Sequence, residues 1–125
     1  MSLVPDELQY TKSHEWVKRE QSGWKIGITD HAQGELTDVV FVEFEKVGKK
    51  LKKGDVVASV ESVKTVSEVY TPVDGEIVAV NPIVAEKPEK VNQDPYGDGW
   101  FVVIKSSSSP NDLLKAADYM KLIGE

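Results

Sequence analysis

Residues 54–81 read GDVVASVESVKTVSEVYTPVDGEIVAVN, and how this stretch folds back on itself decides the architecture. Segments 56–61 and 65–70 are rich in Val, Thr and Tyr, which suit a pleated, half-buried surface, and they lie between Gly54-Asp55 and Pro72. This is hairpin patterning with residues 62–64 at the bend, although the bend holds neither Gly nor Asn. Asp74-Gly75 suits a second tight turn, because glycine accepts positive φ without a Cβ clash, and an apolar strand over 76–80 leaves it.

Outward from this stretch the same grammar repeats. Segments 15–20 and 24–28 flank Gln21-Ser22-Gly23, a hairpin turn. Thr29 can cap a short helix by accepting an unpaired first-turn N–H, with Asp30 near its positive end and Gly34 keeping it short. The strand at 39–44 has a continuous apolar start, which predicts burial on both faces or at a sheet junction. Residues 47–55 read as a glycine-punctuated loop. Pro82, Pro88 and Pro95 make residues 83–92 irregular with at most a short helix, and 100–105 is the last clear strand. Ser109-Pro110 then opens a C-terminal helix over about 110–123, with Leu113, Ala116, Ala117, Met120 and Ile123 on one apolar face and Gly124 ending it. Many short strands, few helices and no βαβ alternation predict a mainly β core with that helix docked on it.

Composition excludes several classes. At 125 residues the chain is long enough for one domain spanning 1–125 with its own core. With 40% apolar residues and no apolar run near the roughly 18 needed for a span, no membrane role is expected. A net charge of −6 argues against nucleic acid, and the basic run at 49–53 lacks interleaved aromatics and reads as a solvated turn. The absence of cysteine removes disulfides, thiolate metal sites and a nucleophilic thiol. His14 and His31 are a poor metal set without thiolates, so no metal is expected and both read as packed or capping histidines; Trp16, Trp24 and Trp100 read as core and rim packing. The N-terminus has neither a secretion signal nor a transit-peptide composition, which points to the cytoplasm, although a processed organellar form reads the same.

Glu61-Ser62-Val63-Lys64 resembles the ESVK motif of the H-protein family of the glycine cleavage system, in which the lysine carries lipoate in amide linkage, and Gly75 follows Lys64 by 11 residues as the family pattern requires. His14-Glu15-Trp16-Val17, the run from Gly27 to Gln33, residues 39–42, and Asp94-Pro95-Tyr96 with Gly99-Trp100 resemble further family segments in family order. Five ordered blocks are far more specific than one tetrapeptide. The resemblance implies the flattened antiparallel barrel-sandwich of lipoyl and biotinyl domains, with Lys64 at an exposed hairpin tip.

It also implies a function. The protein would be a non-catalytic carrier whose one covalent lipoate swings between partners. A pyridoxal-phosphate glycine decarboxylase (P protein) loads an aminomethyl group, a tetrahydrofolate aminomethyltransferase (T protein) removes it, and a dihydrolipoyl dehydrogenase (L protein) reoxidises the dithiol. A lipoate ligase or octanoyl transferase would modify Lys64, recognising Glu61 directly and Gly75 through the turn beside the tip. The matching positions for a cleft that shelters the loaded arm are Ser13, Glu15, Ile28 and Glu68, where a carboxylate could pair with the ammonium. Some family members have histidine where this chain has Glu35, and alanine is common where it has Thr65. The bland readings stand beside these: Lys64 is one of 14 lysines, and the cleft residues could be ordinary surface and packing positions. Two other functions compete, a lipoyl donor for other proteins and a biotin carrier. The second is disfavoured because biotin lysines are usually flanked by methionines, not by Val63 and Thr65.

Overall fold

The computed structural model describes residues 2–125. Among these residues, nine strands form two antiparallel sheets. β1 (Gln9–Tyr10), β2 (Glu15–Glu20), β3 (Gly23–Ile28), β5 (Lys50–Leu51), β8 (Gly75–Val80) and β9 (Val102–Lys105) make a six-stranded sheet in the order β1-β2-β3-β9-β8-β5. β4 (Val39–Phe44), β6 (Val56–Ser62) and β7 (Val66–Tyr70) make a three-stranded sheet in the order β4-β6-β7. Side chains alternate across each strand, so Val60 and Ala58 of β6 face inward while Glu61 and Ser59 face out. Ile26, Val60, Val69, Ile77, Phe101 and Ile104 belong to the main core cluster, to which both sheets contribute.

Among the described residues, four short helices decorate the sheets: α1 (Asp30–Leu36), α2 (Pro82–Glu86), α3 (Lys90–Gln93) and α4 (Ala116–Leu122). Thr29 caps α1 as expected, its hydroxyl accepting the Ala32 N–H at 3.1 Å. α1 runs through Gly34 and ends at Thr37, whose φ of 64° leaves helical space, so that glycine does not set its length. Asn81 caps α2, with Pro82 in its first turn, and α3 follows two residues after Pro88, so two short helices stand where irregular chain with at most one short helix was expected. No helix among the described residues is long and apolar enough to cross a membrane.

The C-terminal helix begins at Ala116, six residues later than Ser109-Pro110 suggested. The intervening backbone is committed elsewhere. Tyr10 N–H donates to the Leu114 carbonyl at 2.9 Å and Leu114 N–H to the Tyr10 carbonyl at 2.7 Å, and Asp112 has a φ of 60°. The buried face of α4 is correspondingly rotated: Ala116 and Tyr119 are buried and Ala117 is exposed. They join Leu8, Tyr10 and Trp16 in a second cluster. The Trp16 ring lies over Gly27, where a Cβ would approach it to 2.6 Å.

Three further expectations change. β4 is not buried on both faces, because a bulge between Val39 and Phe41 leaves Val40 and Phe41 exposed. Lys50-Leu51 pairs with Gly75-Glu76 as a strand instead of continuing the loop. Gly75 makes no positive-φ turn: it opens β8, and the glycine is required because a Cβ would lie 2.3 Å from the Lys105 carbonyl oxygen. The turn before it is shaped by the Thr71 hydroxyl, which donates to the Val73 carbonyl at 2.7 Å. Replacing Gly75 by Ala forces the β8 and β9 backbones apart, and the expected loss is about 2–3 kcal/mol of stability. Urea denaturation of Gly75→Ala beside the parent checks this.

Candidate functional site

The β6–β7 bend is built by one side chain. Ser62 Oγ accepts the N–H groups of Lys64 (3.1 Å) and Thr65 (3.0 Å) and donates to the Thr65 carbonyl at 3.1 Å, while Ser62 N–H donates to that same carbonyl at 2.8 Å. Val63 N–H reaches the Asp38 carbonyl at 3.0 Å, so every N–H from Ser62 to Thr65 has an acceptor. The hydroxyl replaces the Gly or Asn that such a bend usually needs. Lys64 is exposed on this anchored base.

Glu61 lies one row below the bend, between Phe41 on β4 and Val66 on β7. Around it the apolar side chains are turned to solvent: Phe41 is 49% exposed, Val66 62% and Val63 69%. Gly75 is not beside this tip. The N–H of Lys53 donates to Asp74 Oδ1 and that of Gly54 to the Thr71 carbonyl, which places Gly75 at the start of β6 and the end of β7, opposite Lys64.

Ser13, Glu15, Ile28 and Glu68 line one cavity of about 350 Å³, together with Glu35, with His14 and His31, which read from the sequence as packed or capping histidines, and with Ser67, which the sequence did not single out. Its walls are the 11–15 loop, α1, and the inner face of β6–β7 with Val60, Ser67 and Val69. Glu15 is only 2% exposed. Its Oε1 accepts the hydroxyls of Ser13 (2.6 Å) and Thr11, and its Oε2 accepts the Tyr70 N–H at 3.3 Å. Burial pushes the Glu15 carboxyl above its usual range, and these donors pull it partway back. Glu68 is on the rim: its position on the edge strand β7 pairs it with outward-facing Ser59, and it accepts the Tyr70 hydroxyl at 3.4 Å.

The His14 and His31 rings lie 5.0 Å apart, and His31 Nε2 is 3.9 Å from Glu35 Oε1 one helical turn on. That i, i+4 spacing of His31 and Glu35 was readable in the sequence. His14 has a φ of 72°, a left-handed conformation that costs a non-glycine residue about 1–2 kcal/mol. Its Nδ1 is 2.8 Å from the Tyr119 hydroxyl, which is itself 2.7 Å from Thr29 Oγ1. Burial, and then the neighbouring His31, hold the His14 imidazole below its ordinary pKa. Tyr119 is pushed up to about 12 by burial.

The tip and this cavity fit a lipoyl-lysine. Glu68 is four residues from Lys64, about 13 Å at strand rise, and a lipoylated lysine of a dozen or so bonds reaches about 14 Å. A larger cavity of about 760 Å³ shares Ser13 and Glu15 but opens beside Tyr70, Thr71 and Gly54. Tyr70 is about 20 Å along the strand from Lys64, outside that reach.

Two outcomes follow from this geometry. Ser62→Ala removes a buried hydroxyl with three partners and leaves two N–H groups unpaired, so a loss of about 1–3 kcal/mol is expected, with faster amide exchange at Lys64 and Thr65 as the local readout. For His14, folding lowers the pKa, so the unfolded chain binds more protons; stability is full above the ordinary value of 6.5 and is lost as pH falls through the lowered one. His14→Asn tolerates the left-handed backbone and lacks this titration. Its urea midpoint is expected to fall less than the parent's between pH 7.5 and pH 5.

A family model described as glycine cleavage H-protein matches residues 8–125. The glycine cleavage system H protein of Herpetosiphon aurantiacus is 50% identical over 125 residues, covering 100% of this chain and 97% of that one. The glycine cleavage system H protein of Rubrobacter xylanophilus is 47% identical over 125 residues, 100% of this chain and 98% of that one. Among solved structures, a glycine cleavage system H protein from Mycobacterium marinum superposes with a TM-score of 0.89 at 34% identity, covering 98% of this chain and all of that one. Sequence and fold agree over essentially the whole length, and the chain belongs to the glycine cleavage H-protein family, a family of lipoyl carriers.

Proposed function

We propose that this protein carries lipoate on Lys64 and shuttles a one-carbon amine within the glycine cleavage system, as a cytoplasmic carrier and not a catalyst. The observation that carries the reading is the bend at residues 62–65: its backbone donors are all engaged, so the lysine stands on a fixed base with a cavity within reach. Held on Lys64, lipoate would supply a disulfide able to accept a one-carbon amine, with a pyridoxal-phosphate glycine decarboxylase, a tetrahydrofolate aminomethyltransferase and a dihydrolipoyl dehydrogenase as the partners it would visit.

The chain's own residues divide the remaining work. Lys64 offers its exposed amine to a lipoate ligase or octanoyl transferase. That enzyme reacts at Nζ, only about 6 Å from the lysine Cα, so it must press against the tip face, where Glu61 supplies a charged contact between the exposed Phe41 and Val66. Later partners act at the far end of the arm and need not cover this face. In the cavity, Ser13 and buried Glu15 form a fixed polar wall, Ile28 supplies apolar contact, and Glu68 offers a hydrated carboxylate to a cation at the rim. The tether keeps the cargo at high local concentration near each docked partner.

Intact mass after incubation with a lipoate ligase, lipoate and ATP tests the site. The parent is expected to gain one lipoyl group, mapped to the Lys64 peptide, and Lys64→Arg none; a lipoylated Lys64→Arg protein would sink the assignment. Glu61→Ala is expected to slow the modification about tenfold, the value of one charge-assisted bond.

A further inference from the structure

The cleft described above is lined by residues between Ser13 and Val69, yet a side-chain atom that bridges two of its walls comes from the C-terminal helix. Tyr119 is fully buried, and its hydroxyl touches His14 Nδ1 at 2.8 Å and Thr29 Oγ1 at 2.7 Å. His14 sits in the loop that presents Ser13 and Glu15. Thr29 caps α1, which presents His31, Ala32 and Glu35. One oxygen is therefore bonded to both walls.

We propose that Tyr119 is a positioning residue for the lipoyl arm: beside the backbone bond from the Thr29 N–H to the His14 carbonyl, its hydroxyl clamps the His14 side chain to that of Thr29 at the start of α1 and so sets the width of the cleft. The inference rests on the reading of that cleft as the arm's shelter.

The direction of the hydrogen bonds supports a fixed arrangement. Thr29 Oγ1 accepts the Ala32 N–H at 3.1 Å and can donate its own proton to the Tyr119 oxygen; the Tyr119 O–H then donates to an unprotonated His14 Nδ1. His14 held neutral by burial is the acceptor this chain needs, and Tyr119, held protonated up to about 12, is a constant donor. The ring itself cannot drift. It stacks on Tyr10 at 4.8 Å with 16° between planes and meets His14 edge-on at 5.7 Å. Loss of the hydroxyl leaves this packing and the backbone bond from the Thr29 N–H to the His14 carbonyl at 3.1 Å in place but removes the side-chain clamp between the two walls, which His14, at a φ of 72°, has reason to exploit. Among the described residues the hydrogen bonds that close the Lys64 bend run only among residues 62–65 and to Asp38, apart from this network, so attachment of lipoate is expected to be independent of it.

Tyr119→Phe tests the proposal, with Tyr10→Phe as its control. Tyr10 belongs to the same cluster and stacks on Tyr119, but its hydroxyl donates to the Pro5 carbonyl at 2.6 Å, away from the cleft. In the unloaded proteins, Tyr119→Phe is expected to speed amide exchange about tenfold in residues 11–15 and 29–36 and to shift the His14 Nδ1 resonance away from its hydrogen-bonded position. Tyr10→Phe should leave both readouts at the parent values. In the lipoylated and loaded proteins, hydrolysis of the cargo should be several-fold faster in Tyr119→Phe only, while both variants accept lipoate at the parent rate. Parent-like exchange and cargo lifetime in Tyr119→Phe would overturn the proposal, as would equal changes in the two variants, which would mean general loosening. Cargo on the parent protein that hydrolyses as fast as on a free lipoyl peptide would overturn the cleft reading itself, an outcome separate from a protected parent and an unaltered Tyr119→Phe.

Discussion

Ser62 closes the β6–β7 bend with its own hydroxyl, and the geometry of the site is measured from that closure. With the bend fixed, Glu61 must pair with Val66, Val60 with Ser67 and Ser59 with Glu68. A slip of one residue would exchange the faces of β7, bringing Val66 and Glu68 into the core and turning Ser67 and Val69 out. The same register puts the apolar tip on the outer face, Ser67 on the cavity floor and Lys64 one arm's length from the rim. A glycine bend would have left the base of the lysine with more freedom and the register less defined.

The second constraint is long-range. Tyr10 and Leu114 exchange backbone hydrogen bonds, and Tyr10, Trp16, Ala116 and Tyr119 pack as one cluster outside the main core. Trp16 also donates from Nε1 to the Pro95 carbonyl at 2.8 Å, and Tyr96 contributes its hydroxyl to the Leu3 carbonyl at 2.6 Å. Both chain ends and the loop before β9 are thereby tied to β2. Since β2 follows directly from the loop that carries Ser13 and His14, the packing of the ends bears on one wall of the cleft. Structure far from the β6–β7 bend in sequence thus bears on the shape of the cleft.

What the sequence made legible follows from which interactions are local. Runs of strand-forming residues with turn residues between them marked β2, β3, β4, β6, β7 and β8 to within a residue or so, and Thr29 before Asp30 marked the start of α1. The two-residue strands β1 and β5 have no period to read and exist only through their partners. The late start of α4 has the same cause: Ser109-Pro110 is a sound local signal, overruled by a bridge between Leu114 and a residue more than a hundred positions away. Gly75 was legible as a required glycine, but its reason, the approach of Lys105, lies in tertiary packing. In the site, the four cleft positions came from resemblance and do meet in one cavity; His31 had its i, i+4 spacing to Glu35 as a local signal, whereas His14 and Tyr119 had no local pattern to set them apart from core residues.

The distribution of carboxylates around the cavity bears on how a cargo would be held. Glu15 is buried with both oxygens already accepting, so it has little capacity left for a mobile cation, and an ionised form there is stabilised chiefly by hydroxyl and amide donors. Glu35 and Glu68 are at the rim and exposed. An ammonium paired with either would gain only about 0.2–1 kcal/mol, since water screens both partners. So weak an ionic hold gives a few-fold protection at most. Longer protection requires that water be kept from the cargo, and that depends on how closely the 11–15 loop, α1 and the β6–β7 face approach one another. A carrier gains from this division: walls that exclude water protect the cargo between encounters, while a weak ionic contact lets it leave when a partner's site competes for the arm.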